Sequence, residues 1–169
     1  MAKQELTKTD ERIQVPVPEM PASGERVNVG LMRHPDYAGP TMLTSLPMET
    51  EEQRMDAFNV VAGESISIAD VGGEVLEVCD YVLERGTFEF EDGDGPELGV
   101  RIWLISPDGT RWFNGSRSVS QCMERILTWF GCGPWDPPLK LVFLKGETRN
   151  NRPWWSVERV YDKKTAKTK

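Results

Sequence analysis

Apolar and polar residues alternate along this chain at different periods, and each change of period marks an element. Up to about residue 48 no period of 2 or 3.6 is sustained, and Pro16, Pro18, Pro21, Pro35, Pro40 and Pro47 interrupt scattered charges. Such a segment buries too little apolar surface to offset its ordering entropy, so residues 1–48 are expected to form an extended or disordered Pro-rich arm. Residues 49–73 are expected to hold a short helix and a lead-in. Thr50 stands as N-cap before Glu51 and Glu52, Met55, Phe58 and Val61 recur at helical spacing, and Gly63 ends the run.

From Glu74 the pattern becomes that of strands. Residues 74–84 are rich in β-branched and apolar side chains and stop at Arg85-Gly86. Residues 88–98 are acidic and Gly-rich and read as a long loop or hairpin tip. A second strand is expected at 99–106, a tight turn at Pro107-Asp108-Gly109-Thr110, and a third strand at 111–115. Ser118 and Gln121 have the spacing of a capping box, opening a helix whose apolar stripe is Val119, Cys122, Met123, Ile126, Leu127 and Phe130, with Gly131 as stop. Beyond the breakers at 133–138 come strands at 139–145 and about 153–161, joined by a turn at 146–151.

The order strand, strand, strand, helix, strand, strand is that of the oligonucleotide-binding fold. The expectation is therefore a mainly β domain: a five-stranded OB-fold barrel (β-β-β-α-β-β) over residues 74–161, with residues 162–169 as a basic tail.

Composition changes this picture in two ways. The net charge of −7 divides unevenly: residues 1–98 carry 21 acidic and 7 basic side chains, and residues 99–169 carry 6 acidic and 13 basic. A net +7 segment behind a net −14 segment suggests a basic working surface and an acidic arm or loop. The three cysteines, Cys79, Cys122 and Cys132, have no metal-ligand spacing and read as buried free thiols, and the single His34 as a surface residue. No apolar run approaches the length of a membrane span and the first residues lack a signal peptide's apolar stretch, so a soluble, cytoplasmic protein without membrane contact is expected.

Holding a single strand of nucleic acid requires flat rings on which bases stack and cations along the phosphates. By strand alternation Val100, Ile102 and Leu104 face the core, which turns Arg101 and Trp103 outward. Arg111 and Phe113 share one side of the next strand, opposite Trp112, and either side suits the interior. Arg117, Lys145, Arg149, Arg152 and Arg159 add cations, and Trp154 and Trp155 add rings. The expected nucleic-acid contacts are Arg101, Trp103, Arg111, Phe113, Arg117, Lys145, Arg149, Arg152, Trp154 and Trp155. Core packing is the competing role for each tryptophan, and a solvated face for the arginines.

The acidic residues Glu89, Glu91, Asp92, Asp94 and Glu97 suit a soluble loop, and lack the spacing of a calcium loop. A third reading lays that loop over the basic groove in competition with nucleic acid. No H-E-x-x-H, P-loop or G-x-S-x-G pattern is present, so neither an enzyme nor a cofactor or metal requirement is expected.

The run Gly109-Thr-Arg-Trp-Phe-Asn-Gly-Ser-Arg-Ser-Val-Ser-Gln121, followed by the amphipathic helix and a Lys/Arg-containing final hairpin, resembles small bacteriophage OB-fold proteins that bind single-stranded DNA. The resemblance spans about residues 64–160. It implies single-stranded DNA binding in replication, recombination or repair, in the host cell cytoplasm if phage-encoded, with RNA, other replication proteins or self-association as further partners. The chain departs from many such binders by ending in Lys-Lys-Thr-Ala-Lys-Thr-Lys rather than in an acidic tail. Two other readings stay open: a protein-interaction module on the same scaffold, and a virion assembly component whose arm wraps a neighbour.

Overall fold

The computed structural model describes residues 29–89, 95–150 and 153–160. The expectations for residues 1–28, for Glu91, Asp92 and Asp94, for Arg152 and for the basic tail lie outside these residues. A short 3-10 helix (Leu31–Arg33) and strand β1 (Met42–Thr44) precede helix α1 (Glu51–Ala62) and strand β2 (Ile66–Ser67). Then come β3 (Val75–Val78), β4 (Asp80–Glu89), β5 (Pro96–Ile105), β6 (Arg111–Asn114), helix α2 (Arg117–Phe130), β7 (Leu139–Glu147) and β8 (Pro153–Arg159).

The protein is mainly β, but the expected five-strand barrel is not closed. The strands form two sheets, one ordered β1-β4-β5-β6-β2 and the other β3-β7-β8. The strand expected at 74–84 is longer and broken at Cys79, so that β3 serves one sheet and β4 the other. Cys79 joins them by donating its N–H to Ile105 O (2.9 Å) and accepting from Trp135 N (2.8 Å). Among the described residues no ladder links β6 to β8, because the outer edge of β6 is taken by β2 in a parallel pairing. From there residues 66–73 cross to the other sheet: the Ile68 amide donates to Phe113 O (3.0 Å) and the Gly73 amide to Phe143 O (2.9 Å). The indole of Trp155 lies against Gly72, where an added Cβ would stand 3.3 Å from the ring.

Alternation explains the main core. Leu76 and Val78, then Tyr81 and Leu83, Val100, Ile102 and Leu104, and Leu141 and Phe143 all point to one interior, which α2 fills with Val119, Cys122, Met123, Ile126 and Leu127. Trp112 joins this interior, which settles the orientation of β6. The helix begins two residues before the expected capping box: the cap is Ser116, whose hydroxyl accepts from Val119 N at 3.3 Å.

The opposite face of the larger sheet is also covered. Val82, Trp103 and Ile105 form a second buried cluster with Met42, Leu46, Val60, Val61 and Phe113. Helix α1 is capped as expected by Thr50, here with Gln53 completing a capping box, and ends at Gly63. Of the expected stripe only Val61 packs on the sheet, beside Val60 and with Ala57 buried, while Met55 and Phe58 face solvent.

The arm expected at 1–48 is folded from Val29 onward. Val29 and Met32 are buried in the main core, and β1 pairs with β4 through Met42↔Glu84, Leu43↔Leu83 and Thr44↔Val82. The Thr44 hydroxyl donates to Tyr81 O (2.8 Å) and Ser45 Oγ to Asp80 Oδ1 (2.8 Å). Sequence periodicity misses this segment because its contacts are single apolar residues and backbone pairs, not a repeating stripe.

Candidate nucleic-acid interface

The β7–β8 hairpin carries the most exposed of the expected contacts. Its register places Lys145 opposite Trp155 and Gly146 opposite Trp154, and alternation sends the two tryptophans to opposite faces. Trp155 points inward and is buried, with its carbonyl accepting from Cys122 Sγ at 3.4 Å. Trp154 points outward with 42% of its surface exposed. Its indole occupies the space over Gly146: a Cβ there would lie 2.8 Å from Cε2 of the ring and closer still to Nε1. Glycine at 146 therefore lets the ring lie on the sheet. Lys145 and Arg149 are exposed at the same end of the hairpin.

The other expected residues are brought together differently. Trp103 and Phe113 do meet, with ring centroids 5.2 Å apart, but under α1 and β1 rather than in solvent. Trp103 is 4% exposed, so the expectation that it faces outward to a base is corrected: its side of the sheet is the second core. Arg101 sits over the Phe88 ring at 3.8 Å and pairs in register with Glu84. Arg111 turns toward α1 and donates to Asn59 O at 2.8 Å, holding the helix end to β6. Arg117 is exposed at the first position of α2.

Two residues outside the expected set stand near this chemistry. Trp129, at 80% the most exposed large apolar side chain among the described residues, projects from the polar side of α2 one turn beyond exposed Arg125. The signal was present, since a tryptophan off the apolar stripe has no core to enter. Arg33 had no such signal within the Pro-rich segment. Its Nη2 donates to Ser120 Oγ (2.7 Å), Gly115 O (3.4 Å) and Val100 O (3.5 Å), and burial together with the Arg117 charge lowers its pKa from the ordinary arginine value.

The thiols are poor nucleophiles or ligands. Burial pushes both Cys79 and Cys122 up to about 11, Cys79 with further help from Asp80, which also opposes the thiolate. Among the described residues no three His, Cys, Asp or Glu side chains converge as metal ligands, and no helix is long and apolar enough to cross a membrane. No family model, curated protein or solved structure matches the chain.

Proposed function

We propose that this protein binds single-stranded nucleic acid, DNA foremost, with the β7–β8 hairpin as its contact surface. The observation that carries this reading is Trp154, a half-exposed indole laid on Gly146 at a hairpin end whose turn bears exposed Arg149, with exposed Lys145 on the other face of the ribbon. A base stacked on such a ring gains roughly 1–3 kcal/mol whatever its identity, while the cations meet phosphates. The strand order β6-β5-β4/β3-β7-β8, with α2 between β6 and β7, supports reading the fold as an open relative of the oligonucleotide-binding barrel. Replication, recombination or repair in a host cytoplasm is the setting such binding suits.

The test is a salt titration of oligo(dT) binding. Replacing Lys145 and Arg149 by Ala is expected to flatten the slope of log K against log salt by roughly 0.7 per lost phosphate contact. Trp154→Ala is expected to lower affinity with little change in slope. Equal slopes and affinities for all three proteins would remove the hairpin from the interface. A protein-interaction module is the second reading, favoured by outward Met55 and Phe58 on α1 (54% and 63% exposed), and absence of oligonucleotide binding would leave it in place.

A further inference from the structure

A concave region lies at the start of α2, at the opposite end of that helix from Trp129. It is a cavity of about 400 Å³ lined by Arg33, Glu97, Leu98, Gly115, Ser116 and Arg117. Two guanidinium groups therefore share one small space. Neither has a carboxylate within 4 Å among the described residues; Glu97 lines the cavity but pairs with neither. Like charges held together in partly desolvated surroundings are costly unless an anion compensates them.

The hydrogen bonds of Arg33 hold its side chain in place at the cavity wall. Its Nη2 is satisfied by Ser120 and two carbonyls, which fixes the side chain, and its Nε is shut off from solvent. The helix adds to the same field: its first turn holds no acidic residue, Val119 N is taken by Ser116, and the amides of Arg117 and Ser118 have no partner within the helix. The cavity thus gathers two cations at the start of α2, and among the described residues its one carboxylate sits on the exposed β5 residue Glu97.

We propose that this cavity is a binding site for a phosphoryl group, held between Arg33 and Arg117 over the first turn of α2. A tetrahedral group with several acceptor oxygens can take both guanidinium groups and the helix amides at once, which a planar carboxylate with two oxygens does less completely. The source is either a free phosphate or phosphorylated small molecule, or the phosphate of a nucleic acid strand. In the second case the site deepens the nucleic-acid reading by placing one phosphate on the molecule, but it does not rest on the hairpin.

The experiment follows amide resonances of the full-length protein while inorganic phosphate replaces chloride at constant ionic strength. Saturable shifts confined to Gly115, Ser116, Arg117, Ser118 and their neighbours are expected. Arg117→Ala, at an exposed position, is expected to weaken phosphate binding about tenfold, the loss of one charge-assisted contact. Arg33→Lys keeps the charge but not the fork and is expected to weaken it as well. Linear, unsaturated shifts, or an Arg117→Ala protein that responds like the wild type, would overturn the site. Oligo(dT) trimers with and without a 5′-phosphate then separate the sources: competition by both identifies the strand backbone, competition by the phosphorylated trimer alone identifies a terminal or free phosphate. Saturable phosphate binding in a protein whose hairpin variants bind oligo(dT) like the wild type would uphold the site while the hairpin reading fell.

Discussion

Replacing Trp103 by Ala discriminates most directly between a ring that serves the ligand and a ring that serves the fold. The indole is 4% exposed and lies between Phe113, at 5.2 Å, and the α1 residues Val60 and Val61. A buried tryptophan removes roughly 200 Å² from water, which at about 25 cal/mol per Å² sets an upper figure near 5 kcal/mol. Loss of the ring pair adds about 0.5–1.5 kcal/mol, whereas partial collapse of α1 onto the vacated space recovers some of the cost. Val60 and Val61 are only half-buried, so that collapse is feasible and the lower part of the usual 3–5 kcal/mol range is expected, about 3 kcal/mol. Against a total stability of roughly 5–15 kcal/mol this is a large fraction, and it corresponds to a fall in the melting temperature of about 10 °C. Urea unfolding followed by far-ultraviolet circular dichroism measures it, with Trp154→Ala as the comparison, expected to cost under about 1 kcal/mol because its ring is 42% exposed. A Trp103→Ala protein with an unchanged midpoint and weakened oligonucleotide binding would refute the argument, since the indole would then be a surface group.

Met32→Ala is expected to destabilise the protein by about 2–5 kcal/mol in the same assay, because Met32 is 1% exposed in the main core; a neutral result would return residues 29–48 to the status of a dispensable arm. Thr50→Ala removes the cap and half of the capping box of α1, so hydrogen exchange of the α1 amides should quicken by the equivalent of about 0.5–2 kcal/mol, and unchanged protection there would count against the cap. Cys79 and Cys122 are held up to about 11 from an ordinary 9, so the folded state retains thiol protons that the unfolded chain gives up. Their contribution to stability is therefore complete below about pH 9 and declines as pH rises toward 11, and labelling by a thiol reagent at pH 8 should be much slower in the native protein than in urea. Equal labelling rates would contradict the burial.

The sequence by itself determined the elements whose residues repeat on one face. Helix α2 was legible from its six-residue stripe, the Thr50 cap from side-chain chemistry, the turn at Gly109 from Pro, Asp and Gly in order, and the inward set Val100, Ile102 and Leu104 from alternation. These are local signals, set by the 3.6 and 2.0 periods and by which groups satisfy a helix end. Burial of Cys122 followed from the helix stripe, whereas Trp154 and Trp155 were both expected as contacts and only the packing of β8 separated them. Only the tertiary structure decided what covers the second face of the large sheet. Alternation placed Trp103 away from the main core, but it carries no information on whether that side meets water or another element, and β1 and α1 occupy it. Closure was likewise undecidable locally, because whether β6 meets β8 or β2 depends on which edge reaches its backbone groups first in space. Arg33 makes the same point at the level of the site: it joins Arg117 across 84 positions of chain only because Val29 and Met32 anchor its segment in the core. Periodicity reports the face a residue turns from its own element, and long-range packing alone assigns that face a neighbour.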